Sequence, residues 1–303
     1  MAEGFRKIVC PVYLDETSPQ MLSYARHFAQ LGDGTIYLLH VVPTDELHLL
    51  RKVYRPDEGG GADISTAERV AREQLEATAH EHLNDIHYDI VTQFNSNPAA
   101  GILEAQKEIG ADLVVMSSHG RTGLAHLILG SVAERVVRES VCPVLTIRQG
   151  EAEATPSAFQ HILVPVDIAD RSATALTCAR QIAEQHGGTV YPLHVVPTED
   201  IYLQRDVYRL QEGGGTNLVR AEKVAKERLA EISQTYLDGV RYEPVVHVSS
   251  DPARTFLEME KEVGADLLVM ATHGFTGLFH LLLGSLTEKM MREAGCPVLA
   301  LHQ

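Results

Sequence analysis

The residues best placed by type and spacing to do chemistry lie in two glycine-bearing stretches, MSSHGRTGLAHLILGSVAE (residues 116–134) and MATHGFTGLFHLLLGSLTE (residues 270–288). Each leaves an apolar run of strand length and enters a helix-like run through a glycine-serine pair, Gly130-Ser131 or Gly284-Ser285. At a helix start, unpaired backbone amides, the positive end of the helix dipole and a hydroxyl converge, and that is the chemistry of anion binding. Gly120 and Gly274, ten residues earlier, lack the Cβ that would stop the backbone from folding closely around phosphates. The same residues also suit plain turn and cap chemistry, so spacing alone leaves both readings open.

The two stretches are copies, and so is everything around them. With a period of 154 residues, Phe5 matches Phe159, Pro11 matches Pro165, His40 to Thr44 match His194 to Thr198, and Cys142-Pro143 match Cys296-Pro297. No insertion is needed and nearly half the aligned positions are identical. A repeat this long is a duplicated domain rather than a solenoid unit. The expected division is residues 1–149, a linker at 150–158 built from small, polar and proline residues, and a second domain at 159–303.

The elements that must position the glycine loops follow from hydrophobic periodicity. Ile8 to Tyr13, Thr35 to Val42, Tyr88 to Phe94, Leu113 to Ser118 and Val144 to Arg148 are short apolar runs of strand length. Between them, Ser18 to Leu31 and Thr66 to Leu83 have helical spacing, with apolar positions 21, 22, 25, 28, 29 and 67, 70, 71, 75, 79. Asn97 is placed to cap a helix running to Ile109, Gly110 to stop it, and Ser131 to Glu139 to form the last helix. Each half therefore reads β-α-β-α-β-α-β-α-β, an α/β domain whose parallel five-stranded sheet carries helices on both faces. Ligands of such sheets bind beyond the carboxyl ends of the strands, where the strand order reverses.

Composition narrows the function classes. Of 303 residues, 45% are hydrophobic and 22% charged, as in ordinary globular proteins. The net charge of −15 divides into about −7 and about −8, so neither half is a basic module and no nucleic-acid surface is expected. No apolar run reaches the roughly 18 residues needed to cross a bilayer. A strand-like run begins within ten residues of Met1, so no export leader is expected. Four cysteines without a CxxC pair suit reduced thiols and a cytoplasmic setting. His80 and His82 are replaced by Gln234 and Tyr236 in the second copy, and no metal site is expected.

The pattern His119-Gly120, nine residues, Gly130-Ser131, repeated as His273-Gly274, nine residues, Gly284-Ser285, resembles the ATP-binding loop G-x2-G-x9-G-[S/T] of the universal stress protein family. The family's H-G-[RK]-T-G core is matched in the first copy and, apart from Phe275, in the second, its following C-P-V-L strand is matched in both, and the likeness spans both halves, identifying a tandem member. The resemblance implies a Rossmann-like, adenine-nucleotide α-hydrolase-like fold with strand order 3-2-1-4-5. It also implies a cofactor, ATP or else ADP or AMP, with Mg2+ as a companion. The first glycine of the pattern is Ser117 in one copy and Ala271 in the other. An aspartate that touches the nucleoside at the end of the family's first strand maps to Asp167, whereas the first copy has Tyr13. Thr287 adds a hydroxyl where the first copy has Ala133, while Arg121 offers a cation where the second has Phe275. Backbone groups of Val41 and Val195 would read the adenine edge, with Pro11 and Pro165 lining the first strands. The second half is the favoured site, although Asp167 would serve equally to cap the turn that follows it.

His119 and His273 would orient the loop or move a proton beside the phosphates. Gly59 to Gly61 and Gly213 to Gly215 follow Tyr54-Arg55 and Tyr208-Arg209 in a long connection that reads as a lid or as plain linker. No Walker lysine, nucleophile elbow or Ser-His-Asp order is present, so rapid turnover is not expected. The leading expectation is a nucleotide-dependent stress-response protein that regulates rather than catalyses. A slow ATPase and a nucleotide-independent interaction scaffold are the alternatives. The resemblance further implies that the halves pair through their last strands, CPVLTIR and CPVLALH, with a homo-oligomer open.

Overall fold

The computed structural model describes residues 4–14, 19–45, 64–118, 129–148, 159–169, 172–199, 206–208, 218–272 and 285–302. The chain divides into two compact units, 1–157 and 158–303. The expected linker at 150–158 lies outside the described residues.

In the first unit the strands are β1 (Lys7–Pro11), β2 (Thr35–Val42), β3 (His87–Phe94), β4 (Leu113–Ser117) and β5 (Val144–Ile147). The helices are α1 (Pro19–Gly32), α2 (Ile64–His82), α3 (Pro98–Ile109) and α4 (Ser131–Glu139). The sheet runs β3-β2-β1-β4-β5 with every pair parallel. The expected 3-2-1-4-5 order and α/β class are therefore what the chain adopts. The helix reading holds to single residues: α2 buries Ala67, Val70, Ala71, Leu75 and Ala79, the five positions marked by periodicity. Asn97 caps α3 by accepting from the Ala100 N–H at 3.0 Å. Gly110 ends it at φ 66°, its N–H reaching back to the carbonyls of Gln106 and Lys107.

Adjacent residues of β2 show why helices cover both faces. Side chains alternate along a strand, so Val42 packs with Ala67, Val70 and Ala71 of α2 while Val41 turns to the other face against α3. The contact there is so close that a Cβ on Gly101 would lie 2.7 Å from Val41 Cγ1. At the opposite end of the sheet the Asp112 carboxylate accepts from the N–H groups of Arg6 and Lys7 at 2.9 and 3.1 Å, buckling β1 to β4.

The second unit repeats the plan with β6 (His161–Pro165), α5 (Ala173–His186), β7 (Thr189–Pro197), α6 (Leu218–Tyr236), β8 (Arg241–Tyr242), β9 (Val245–Ser249), α7 (Pro252–Val263), β10 (Leu267–Ala271), α8 (Ser285–Glu293) and β11 (Val298–Leu301). Its sheet runs β11-β10-β6-β7, with β8 and β9 both on the outer side of β7. One strand was expected where β8 and β9 stand. Pro244 falls between them, in the place of Ile90, and cannot donate to the ladder. It is tolerated because this is an edge strand. The Asp266 carboxylate repeats the buckle, accepting from Gln160 and His161 N–H at 2.7 and 3.1 Å.

Candidate functional site

In each unit the central strand β1 or β6 is flanked by the second strand on one side and the fourth on the other. The chain leaves these neighbours in opposite directions, so a crevice opens at their carboxyl ends. In the second unit the carboxyl ends of the strands carry Pro165 closing β6, Asp167 two residues beyond it, Val195 on β7, Ala271 closing β10, and the start of α8 at Ser285. In the first unit the matching positions are Pro11, Tyr13, Val41, Ser117 and Ser131. His119, Gly120, Arg121, His273, Gly274 and Gly284 lie outside the described residues.

Among the described residues no side chain caps the entry to α4. Gly130 stands at the N-cap with φ −64° and ψ 139°, and it supplies no side chain to cap the first-turn amides. Its own N–H donates to the Ser118 carbonyl at 2.9 Å, which ties the end of the glycine loop to the end of β4. Ser131 and Ser285, the first residues of α4 and α8, are exposed, with their amides at the positive end of the dipole. Ser117 adds a further feature, because its Oγ is buried and, among the described residues, has no hydrogen-bond partner. A buried hydroxyl in that state is one that a ligand or water would satisfy.

The structure gives some candidates a fold role. Asp167 is half-buried, and its Oδ1 accepts from the Ala169 N–H at 2.9 Å, the turn-capping bond that its sequence context allows. Its N–H donates to Ser172 Oγ at 2.8 Å. Thr287 is buried and its hydroxyl points to the Ala271 carbonyl at 3.4 Å, so it links α8 to β10. Val195 is buried in the sheet, whereas Val41 and Pro11 are half-buried. Among the described residues no three His, Cys, Asp or Glu side chains are placed to hold a metal, and His80 stands edge-on to the Tyr88 ring.

Two residues at the crevice were not marked as functional from the sequence. His40 and His194 place Nδ1 at 2.9 and 2.8 Å from the carbonyls of Val12 and Val166, the residues that follow β1 and β6. Burial pushes the pKa of His194 down. The signal lay in the exact repetition of HVVPT in both halves, which gave the register of the repeat and could have been read as a second site element.

Two α/β units of one plan, each a parallel sheet with a helix starting at Ser131 or Ser285 beyond its fourth strand, define the class of fold. The match to known proteins narrows it. The profile of the Universal stress protein family matches residues 4–148 and again 158–302, and the chain belongs to that family as a tandem member. Universal stress protein Rv2005c of Mycobacterium tuberculosis is 30% identical over 253 residues, covering 83% of this chain and 79% of that one. A universal stress protein of Mycolicibacterium smegmatis is 26% identical over 291 residues, covering 94% and 93%. Among solved structures, a universal stress protein from Archaeoglobus fulgidus superposes with TM-score 0.62 at 20% identity, covering 98% of this chain and 96% of that one. No helix among the described residues is long and apolar enough to cross a membrane.

Proposed function

We propose that the protein binds an adenine nucleotide, ATP or else ADP or AMP, with Mg2+ carried in on the phosphates, and that it acts through ligand-dependent change rather than turnover. The observation that carries this reading is the uncapped start of α4, reached through the glycine loop at the switch point and repeated in sequence at α8. Phosphates would sit on the amides of Ser131 or Ser285, and the nucleoside would lie between β6 and β7 beside Asp167, or between β1 and β2. Asp167 favours the second half. The Ser117 hydroxyl, without a partner among the described residues, supports a further site in the first half.

The absence of a Walker lysine and of a nucleophile elbow in the sequence supports sensing over hydrolysis. Four unbridged cysteines support a cytoplasmic setting. Pairing of the halves through their last strands, and any homo-oligomer, belong to the same proposal and rest on the family resemblance alone. The test is a thermal-shift series on nucleotide-stripped protein with Mg-ATP, Mg-GTP and Mg-UTP. Binding at about 100 times Kd stabilises by about 2.7 kcal/mol, so a rise with ATP and little with the others is expected. Equal shifts for all three would refute adenine recognition, and no shift at millimolar ATP would leave the scaffold reading in front.

A further inference from the structure

The end of β6 is held by a chain of bonds that begins in the connection between β7 and α6. His194 is 1% exposed, and its Nδ1 lies 2.8 Å from the Val166 carbonyl oxygen. A carbonyl can only accept, so Nδ1 carries the proton. In the neutral ring Nε2 is then the acceptor, and the Tyr208 hydroxyl, 3.1 Å away, is its donor. Burial lowers the His194 pKa, against the Val166 bond and the charge of Asp167, and so favours this neutral tautomer. Tyr208 is fully buried although it belongs to a loop. Burial and the nearby charge of Asp167 raise its pKa and keep the hydroxyl protonated.

These bonds converge on one peptide unit. The Val166 carbonyl is held by His194, the Asp167 N–H by Ser172 Oγ at 2.8 Å, and Asp167 Oδ1 by the Ala169 N–H. Oδ2 is therefore the oxygen a ligand would meet. In the first unit His40 makes the matching bond to Val12, but the next residue is Tyr13, so there the device carries no carboxylate. We infer that His194 and Tyr208 are positioning residues for Asp167: the Tyr208 hydroxyl fixes the His194 tautomer, and His194 fixes the peptide that aims the carboxylate at the nucleoside. This rests on the nucleotide reading and adds to it a link between the β7–α6 connection and the pocket wall.

The link is sensitive to pH. Protonation makes Nε2 a donor, forces the Tyr208 hydroxyl to reverse, and sets a positive charge against Asp167 in a buried place. Among the described residues the ionisable groups acting on the ring are Asp167, beyond β6, and Tyr208; the residue of β9 in register is uncharged Val246. Affinity should accordingly fall as pH drops below the ordinary histidine range near 6.5.

The experiment titrates full-length, nucleotide-stripped protein with Mg-ATP from about pH 8 to about pH 5.5, a span that brackets histidine titration, for wild type, Tyr208→Phe and His194→Asn. Asparagine places an amide N–H where Nδ1–H stood and does not titrate. Protonation of the nucleotide is common to all three proteins and cancels in their ratios. Tyr208→Phe should weaken binding about fivefold at the upper pH, the weight of one neutral hydrogen bond. His194→Asn, which keeps the Val166 bond but not the Tyr208 one, should bind at the upper pH no more weakly than Tyr208→Phe, and its affinity should lack the acid decline of wild type beyond that of the nucleotide itself. Nitrogen-15 NMR of the histidine side chains, which needs no ligand, should find His194 protonated on Nδ1, and thermal melts confirm that both variants fold. An Nε2–H tautomer would overturn the inference, as would Tyr208→Phe binding and titrating like wild type. Loss of Mg-ATP binding in every form, wild type included, would instead sink the nucleotide reading and this inference with it.

Discussion

Glu260 on α7 is 6% exposed, and its Oε1 accepts from the N–H groups of Gly295 and Cys296 at 2.6 and 2.8 Å, while its buried Oε2 has no N–H or O–H partner among the described residues. The first unit solves the same problem differently. There Gln106 accepts from the Val141 and Cys142 N–H groups at 3.1 and 3.0 Å and donates to Ser140 Oγ at 3.2 Å, in the amide orientation that satisfies both ends. The second unit has Ala294 in place of Ser140, so the hydroxyl that meets the outer end of Gln106 is absent beside Glu260. Transplanting the first arrangement as Glu260→Gln with Ala294→Ser should therefore stabilise the second unit. Leaving a buried polar atom unpaired costs about 1–3 kcal/mol, so the gain should be about 2 kcal/mol, or roughly 4–8 °C for a unit of this size. Burial raises the Glu260 pKa above its ordinary 4.5. A raised carboxyl pKa contributes stability that is full below the unfolded value and lost as pH rises through the folded one. The gain on substitution should thus be greatest near neutral pH and shrink toward pH 4.5. Glu260→Gln alone should gain less, because its amide would have no hydroxyl to donate to. Scanning calorimetry across this pH range is the assay. A double variant no more stable than wild type near neutral pH, or a gain that does not change with pH, would refute the reasoning.

Two backbone predictions accompany it. Asp33 ends α1 at φ 51°, in the left-handed region that the second unit fills with Gly187 at φ 66°. Asp33→Gly should raise stability by about 0.5–1 kcal/mol by relieving the Cβ, and an unchanged or lower melting temperature would contradict this. Gly188 has no such freedom to give, since a Cβ there would lie 2.4 Å from the Phe159 carbonyl oxygen. Gly188→Ala should cost about 2–3 kcal/mol, as overpacking against backbone does, and a melt within about 0.5 kcal/mol of wild type, the range of a neutral surface change, would show that β6 yields more readily than its bonding implies.

What was legible in the sequence is what hydrophobic period and cap chemistry dictate. Buried positions of α2, the Asn97 cap and the Gly110 stop could be read because each rests on side chains a few residues apart. The split of β8 from β9 was missed because the reading of one copy was carried over to the other, and Pro244 replaces Ile90 only in the second. At the crevice, the glycine-serine spacing marked the start of α4. The bonds of His194 to Val166 and Tyr208 could not be read, since they join residues 28 and 14 positions apart, through a buried ring that looks like any core position in a strand. Asp167 shows the limit of residue type: the carboxylate that would meet a nucleoside also caps its own turn, and one side chain can do both only because it has two oxygens.

The most direct test of the account is calorimetric titration of the nucleotide-stripped, full-length protein with Mg-ATP, repeated with Asp167→Ala. The account predicts saturable binding whose second-half site is lost in the variant, leaving either none or the first-half site beside Ser117. Binding in the variant with unchanged stoichiometry and affinity would show that Asp167 serves its turn alone. No heat and no binding in wild type would contradict the central claim.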